Sequence, residues 1–155
     1  MEAVPQFIPQ QYCLRCQGCC RFTQRQSPWS PHLSEAERQT LGELAVVANP
    51  GGANFLCGFL NPTGNACSVY AQRPFECKLY PFLLHRSKDR VFAALDRGCT
   101  FVIENRNKPV FRQFCLRMVA YLTSAEVCAF IAHNPQLAQP YEGVEDLAEL
   151  PVPDL

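Results

Sequence analysis

One apolar stripe predicts the first helix of the chain, between Ser34 and Pro50. Glu37 follows Ser34 by three positions, which is the spacing of a capping box at a helix start. The apolar residues that recur at helical spacing after it are Leu41, Leu44, Ala45 and Ala48. Because a proline and two glycines at 50–52 are typical of a helix end, we expect a helix over 34–48.

A second apolar stripe predicts a helix that begins at Pro109, since proline is favoured at a first helical position. Its buried face consists of Phe111, Phe114, Cys115, Met118, Val119 and Leu122. Thr123 and Glu126 have capping-box spacing, which predicts another helix from Ser124 to about His133. Asn134 and the proline that follows it are expected to stop this helix.

The sequence between the two helical regions predicts short strands. The segments Phe55–Leu60 and Ala66–Tyr70 flank a turn of sequence Asn-Pro-Thr-Gly-Asn at 61–65. Val91–Asp96 is predicted as a strand with Val91, Ala93 and Leu95 on one side, and Phe101–Glu104 is a candidate partner for it. Helices and strands together indicate the α+β class.

The length of the chain and the distribution of its charges predict its domain organisation. A chain of 155 residues is expected to form one domain. We assign residues 1–133 to it, with a motif core at 13–100 and C-terminal helices at 109–133. The segment 134–155 carries five acids and no lysine or arginine, and we interpret it as an acidic, proline-containing tail, docked or partly disordered.

Charge and hydropathy also exclude some partners and compartments. The net charge is zero, which argues against a protein dedicated to nucleic-acid binding. The segment 70–117 is nevertheless basic. The first residues lack the positive and apolar regions of a signal peptide. No apolar run approaches the roughly 18 residues of a membrane span. We therefore expect a cytoplasmic protein without membrane contact, whose thiols stay reduced.

Ten cysteines give the chain its candidate chemistry. Cys13, Cys16, Cys19 and Cys20 lie within eight residues, and the C-x-x-C step is used by zinc sites and by iron–sulfur clusters. A ferredoxin would continue with a cysteine at position 23, where this chain has Thr23. The run is therefore not a ferredoxin motif, and the adjacent pair at 19 and 20 suggests two metals or a ligand with a companion.

Further cysteines follow at regular intervals in the loop-rich region. Including them, the predicted metal ligands are Cys13, Cys16, Cys19, Cys20, Cys57, Cys67, Cys77 and Cys99. Cys115 and Cys128 lie on apolar helix faces, where cysteine acts as a small hydrophobic residue. We therefore expect a small, largely helical and irregular domain organised around a cysteine-ligated metal or iron–sulfur centre.

The motif residues resemble a known family. The run Cys13-x2-Cys16-x2-Cys19-Cys20 is followed by Cys57-Gly-Phe-Leu-Asn, by Gly64-Asn-Ala-Cys67-Ser-Val-Tyr70-x2-Arg73-Pro74, and by Cys77-x2-Tyr80-Pro81-Phe82. This pattern is similar to the YkgJ-like CxxCxxCC family, described as a zinc- or iron-chelating domain. The resemblance covers residues 13 to about 100.

The resemblance implies a zinc or iron centre, and in one related group an iron–sulfur cluster. The same domain occurs in flagellin lysine methylases, where such a cluster is implicated. This chain has no glycine-rich nucleotide loop that would support a methyl-donor site, so methylase activity does not transfer to it.

Polar and aromatic residues beside the thiols are candidates for contacts around the centre. Arg73, Tyr70 and Tyr80 are possible second-shell residues, with Arg73 bonding to sulfur or to a carbonyl. The alternative is that the tyrosines pack in the core and Arg73 pairs with Glu76. Among the histidines only His85 is considered as a ligand, and a surface or core position suits it better.

Three functions remain open at this level. The first is a metal-centre protein without catalysis of its own, binding zinc or iron. The second is a redox protein or accessory subunit in which a [4Fe–4S] cluster or thiol pair carries electrons. The third is a protein-interaction module with a structural zinc. The sequence contains no evident catalytic triad, paired carboxylates or P-loop, so no enzymatic activity is assigned.

Overall fold

The computed structural model describes residues 2–16 and 18–152. The chain forms two compact units. One unit, called here the cysteine unit, spans Ile8–Cys77, and the other, the sheet unit, contains the residues up to Phe7 and those from Lys78 onward. Helices make up 35% and strands 21% of the residues, so the predicted α+β class is confirmed.

The cysteine unit is built of short elements. They are α1 (Gln10–Arg15), β1 (Arg21–Phe22), α2 (Glu35–Leu41), β2 (Val46–Ala48), β3 (Phe55–Cys57), β4 (Leu60–Asn61), β5 (Ala66–Cys67), the 3-10 turn Tyr70–Gln72 and the start of α3 (Phe75–Leu79). Strands β1, β3 and β2 form an antiparallel sheet in that order, and β4 pairs with β5 across the predicted turn.

The capping box of α2 is confirmed, but the helix is shorter than predicted. Ser34 accepts a hydrogen bond from the backbone N–H of Glu37, whose carboxylate accepts from the backbone of Ser34. The helix ends at Leu41 because Gly42 has φ +76°, which helical residues do not adopt. The prediction of helix to residue 48 is therefore wrong. Residues 46–48 form β2, whose two valines suit a strand paired with β3.

The sheet unit contains the longer elements of the chain. They are β6 (Phe82–Ser87), β7 (Arg90–Asp96), α4 (Thr100–Asn105), α5 (Pro109–Leu122), α6 (Ala125–His133), the 3-10 turn Pro135–Leu137 and β8 (Val144–Glu149). Strands β6, β7 and β8 form an antiparallel sheet in that order. The acidic segment interpreted as a tail therefore supplies an edge strand.

Residues 101–104, predicted as a strand beside β7, lie in helix α4, so that prediction is wrong. The backbone N–H of Gly98 donates to Asp96 Oδ1 at 2.7 Å, and this tight turn leads into the helix. Phe101 and Val102 are neighbours and are both buried, which a strand with one covered face would not allow. Strand β7 pairs instead with β6 and β8.

The two C-terminal helices are confirmed, with one change at the second cap. Pro109 is the first residue of α5, as predicted. The hydroxyl of Ser124, not that of Thr123, accepts from the backbone N–H of Val127 at the start of α6. Thr123 donates its hydroxyl back to the carbonyl of Val119 at 2.8 Å. A serine one position later thus provides the cap.

Aromatic packing joins the first residues of the chain to the helices of the sheet unit. The Phe7 ring stacks on Phe114 with 4.8 Å between ring centroids and also contacts Phe101 and Phe111. Within the described residues, no single helix is both long and apolar enough to cross a membrane. The helices α5 and α6 meet these two criteria only jointly, as a pair bent by 63°.

Candidate metal centre

The centre of the candidate site is a pair of cysteines, one in the turn directly before β1 and the other at the end of β3. Arg21 in β1 lies opposite Leu56 in β3, so the next pair in this antiparallel register is Cys20 and Cys57. The backbone N–H of Cys57 donates to the carbonyl of Cys20 at 3.0 Å. The two side-chain thiols lie near enough for one to act as hydrogen-bond donor to the other. Cys20 has φ +64°, an uncommon conformation for a residue other than glycine.

The hydrogen bond makes the two thiols unequal as acids. It raises the pKa of Cys20 far above its usual value, and burial and the neighbouring thiols act in the same direction. The same bond lowers the pKa of Cys57 to about 7, against the effect of burial, and the backbone N–H groups of Phe59 and Leu60 add to the lowering. The pair therefore shares one proton, and Cys57 is the group that readily forms a thiolate.

Three further thiols interact with this pair. Burial raises the pKa of Cys77 on α3, as do, more weakly, the charges of Glu76, Cys57, Cys67 and Cys19. Burial also raises the pKa of Cys67, with a smaller contribution from Cys57. These mutual effects define the cysteine cluster, a name used here for Cys19, Cys20, Cys57, Cys67 and Cys77.

Asn65 connects the first cysteine motif to the second. Its Nδ2 donates to the carbonyl of Leu14 in α1 at 2.6 Å, and its Oδ1 accepts from Arg21 Nη1 at 2.8 Å. Cys13 lies in α1 and Cys16 directly after it, so the bond to Leu14 ties both to the turn before Cys67. Asn65 has φ +49°, which asparagine tolerates better than most residues. Sequence reasoning placed it only in a turn, although its position in the Gly-Asn-Ala-Cys motif was a signal.

We expect Asn65→Gly to weaken zinc binding by about 10- to 100-fold, the usual effect of losing a group that orients a metal ligand. Glycine keeps the left-handed backbone accessible, so the loss reports the two side-chain hydrogen bonds. Competition with a chromophoric chelator measures the affinity. Asn61→Gly is the matched control, because the recorded bond of Asn61 is to the backbone N–H of Thr63 within the turn. Unchanged affinity in Asn65→Gly would contradict this role.

Two glutamates position the helix that carries Cys77. Oε1 of Glu37, the capping residue of α2, accepts from the backbone N–H of Phe75 at 2.6 Å. Oε2 of Glu76 accepts from the backbone N–H of His32 at 2.5 Å, and burial raises the pKa of this carboxyl group. The His32 ring nitrogen Nδ1 is 3.6 Å from the same oxygen, beyond hydrogen-bond distance. The start of α3 is thus tied to α2 and to the loop before it.

Arg73 and Tyr70 lie together beside Cys67. The Arg73 guanidinium is 4.3 Å from the centroid of the Tyr70 ring and donates to the Tyr70 carbonyl at 3.2 Å. Burial, the main influence, raises the pKa of Cys67, whereas the backbone N–H of Val69 and the charge of Arg73 lower it. A positive group that stabilises the thiolate is what a second-shell residue supplies, and this role stays a prediction for both residues.

Cys99 and Tyr80 belong to the sheet unit. The Tyr80 hydroxyl donates to Asp96 Oδ2 at 2.6 Å and also hydrogen-bonds the Cys99 sulfur. Burial raises the pKa of Cys99, while the backbone N–H groups at the start of α4 and the Tyr80 hydroxyl oppose that shift. Cys99 is thus a buried thiol with several donors to its sulfur. Its predicted role as a ligand, and that of Tyr80 around the centre, remain predictions.

The remaining candidates have other surroundings. Cys128 is buried on α6 and its thiol donates to the Leu122 carbonyl at 3.4 Å. Cys115 is partly buried on α5, in line with its expected place on an apolar helix face. His85 Nδ1 lies 2.7 Å from Asp146 Oδ1, across the sheet from β6 to β8. These contacts agree with a packing role for the two cysteines and a structural contact with Asp146 for the histidine.

The donor set of the cluster suits zinc or iron. Among residues 2–16 and 18–152, no three Cys, His, Asp or Glu side chains already have an arrangement that would hold a metal ion. A thiol must lose its proton before it binds a metal. In the pair of Cys20 and Cys57, the remaining proton is on Cys20 and lies toward the Cys57 thiolate. The backbone N–H groups aimed at Cys57 and Cys67 stabilise thiolates. Sulfur ligands of this kind are typical of structural zinc and of iron–sulfur clusters.

Short loops that bring thiols together define the class of small, cysteine-rich, metal-chelating domains. A family model, CxxCxxCC, described as a "putative zinc- or iron-chelating domain", matches residues 12–129. The chain belongs to this family, which confirms the resemblance seen in its motifs. The match extends beyond the motif core to include α5 and part of α6. Neither the curated proteins nor the solved structures contain a match to the chain.

Proposed function

We propose that this protein binds zinc or an iron-containing centre through thiolates of the cysteine cluster, with Cys57 as the central ligand. The family supports zinc or iron chelation in general. The observation that carries the proposal is the hydrogen-bonded pair of Cys20 and Cys57, with which Cys77 and Cys67 interact electrostatically. Crowded thiols repel one another once ionised, and a bound cation offsets that repulsion.

The chain's own residues have separable tasks in this proposal. Cys57 loses its proton first, because backbone N–H groups and the Cys20 thiol stabilise its thiolate. Asn65 keeps α1, with Cys13, next to the turn before Cys67. Cys16 and Cys19 complete the ligand set proposed for the cysteine unit, and Cys99, in the sheet unit, keeps only its sequence-based assignment as a candidate ligand. A bound metal would supply the positive charge that keeps the remaining thiols ionised at neutral pH.

An iron–sulfur cluster is the form of the centre that we place first. The cluster has five thiols, one more than either a tetrahedral zinc or a [4Fe–4S] cluster uses. A [4Fe–4S] cluster uses four thiolates and leaves the others as neighbours that influence its reduction potential. An electron-transfer protein or accessory subunit is the corresponding function. Reduced thiols would be maintained in the cytoplasm, which is the compartment we propose.

Metal analysis and the visible spectrum of anaerobically purified protein test this proposal. We expect a brown protein that contains iron and acid-labile sulfide and is bleached reversibly by a reductant. A colourless protein with stoichiometric zinc would exclude the cluster but keep metal chelation. The protein is expressed with both zinc and iron supplied. If it then folds cooperatively and retains neither metal, the proposed function itself is contradicted.

A second candidate function is a protein-interaction module in which zinc is structural. It is favoured by apolar side chains that remain exposed on α4 and α5. The exposed fractions are 58% for Ile103, 55% for Val110 and 71% for Leu116. Such residues mark interaction surfaces when they are grouped. Zinc without redox activity, together with unfolding on chelation, would favour this function over electron transfer.

A further inference from the structure

We propose that Cys20 and Cys57 form a reversible disulfide when no metal is bound, and that this oxidation switches metal binding off. The role as a switch rests on the metal binding proposed above, whereas the pairing of the two cysteines rests on their backbone hydrogen bond next to the paired strands β1 and β3. The site would then respond to the redox state of its surroundings as well as to metal supply.

The backbone geometry suits a disulfide at this pair. Cys20 directly precedes β1, whose Arg21 is opposite Leu56 in β3, and the backbone N–H of Cys57 donates to the Cys20 carbonyl at 3.0 Å. Residues directly opposite in an antiparallel pair have Cα atoms about 4.5–5.5 Å apart, which lies inside the usual disulfide range of about 4.4–6.8 Å. The two thiols are also near enough to influence each other's ionisation, so the sulfur atoms lie in the same neighbourhood.

The neighbouring thiols are less suited to this bond. Cys19 is adjacent to Cys20 in sequence, and consecutive Cα atoms are about 3.8 Å apart, below the usual disulfide range. Cys67 is opposite Leu60 in the hairpin of β4 and β5, so it has no cysteine across from it in its own pair of strands. Among the thiols placed on strands or at their ends, Cys20 and Cys57 are therefore the matched pair.

The chemistry is thiol–disulfide exchange with a small-molecule disulfide as oxidant. The Cys57 thiolate attacks one sulfur of the oxidant, whose S–S bond breaks, and one thiolate leaves and takes up a proton. Cys20, as its thiolate, then attacks the Cys57 sulfur of this mixed disulfide and displaces the second thiol. The protein loses two electrons and two protons, and the oxidant becomes two thiols.

Formation of this bond would remove two ligands at once. One of the two is Cys57, the proposed central ligand, and only three of the five cluster thiols remain, so a four-thiolate site can no longer be completed within the cluster. Conversely, a bound metal engages the attacking thiolate and protects it from the oxidant. Oxidation and metal binding therefore exclude each other at this pair.

The test uses the full-length chain, stripped of metal anaerobically and then treated with oxidised glutathione. Thiol titration is expected to show that two of the ten cysteines are consumed, and mass spectrometry of proteolytic fragments to join Cys20 to Cys57. A reductant should restore both thiols. The same protein loaded with zinc is expected to lose these thiols about ten-fold more slowly, because the metal holds the thiolate.

Matched variants separate this pair from its neighbours. Cys20→Ser and Cys57→Ser should each lose the two-thiol step, whereas Cys19→Ser and Cys67→Ser should keep it. A first disulfide between any other two cysteines in the unaltered chain would overturn the proposal, and this map does not depend on whether a variant folds. Protein that retains metal but oxidises elsewhere contradicts the switch alone. Protein that forms the mapped disulfide but retains no metal contradicts the proposed function.

Discussion

Replacing Cys57 with serine is expected to weaken zinc binding on the order of a hundred-fold or more, and to abolish retention of the metal during purification. Four-ligand structural zinc sites have binding free energies of about 10–16 kcal/mol, so loss of one thiolate removes a large share. Cys57 is the thiol with the most favourable surroundings, since the Cys20 thiol and two backbone N–H groups stabilise its ionised form. Chelator competition and metal analysis of the purified variant measure the effect.

Cys128→Ser is the matched control for this prediction. Cys57 and Cys128 have the same exposed fraction, 4%, so both substitutions place a hydroxyl in a buried position. The recorded partner of the Cys128 thiol is the Leu122 carbonyl, which a serine hydroxyl can also reach. Metal content should therefore be unchanged in Cys128→Ser. Equal metal content in the two variants would show that Cys57 is not a ligand.

Gly58→Ala is expected to lower the free energy of unfolding by about 1–3 kcal/mol, the usual cost of forcing an extra methyl group into a packed position. A Cβ at residue 58 would lie 2.9 Å from the backbone oxygen of Ala45 and 3.4 Å from its Cβ. The same oxygen accepts a hydrogen bond of 2.7 Å from the Gly58 N–H. Ala45 immediately precedes β2. To make room for the methyl group, either the backbone at residue 58 or the backbone leading into β2 has to move.

The shift should also reach the proposed metal site, because Gly58 lies between Cys57 and the N–H groups that stabilise its thiolate. Zinc affinity is therefore expected to fall together with stability. Gly64→Ala is the control, since a Cβ there has open space within 4 Å and the residue lies in the same unit. Chemical denaturation with and without zinc measures both effects. Equal stability of the two variants would contradict the close approach at Gly58.

Local signals predicted the helix starts well and the helix ends less well. The Ser34–Glu37 capping box and Pro109 are confirmed because each acts through hydrogen bonds or torsion angles within one turn. The end of α2 depends on Gly42 in a left-handed conformation and on residues 46–48 finding a strand partner. An apolar stripe of alanine and leucine does not reveal such a competing strand.

The strands of the sheet unit show the same limit. Val91–Asp96 is predicted as a strand from its run of apolar residues, and β7 confirms it. Its true neighbours, β6 and β8, lie before it and about 50 residues after it in the chain. Residues 101–104 are closer to β7 in sequence, but they form part of α4, so the prediction that they pair with β7 is wrong. Pairing between distant segments depends on which surfaces are buried together, which the local pattern does not contain.

By itself, the sequence determined the donor chemistry and the family of this protein. Thiol spacing and the residues around Cys67 and Cys77 are properties of the chain alone, and the family match over residues 12–129 follows from them. Only the tertiary structure decided that Cys20 lies opposite Cys57 and that Asn65 holds α1 to the second motif. These contacts join residues more than 30 positions apart, and their existence depends on strand register and on the path of the loops between them.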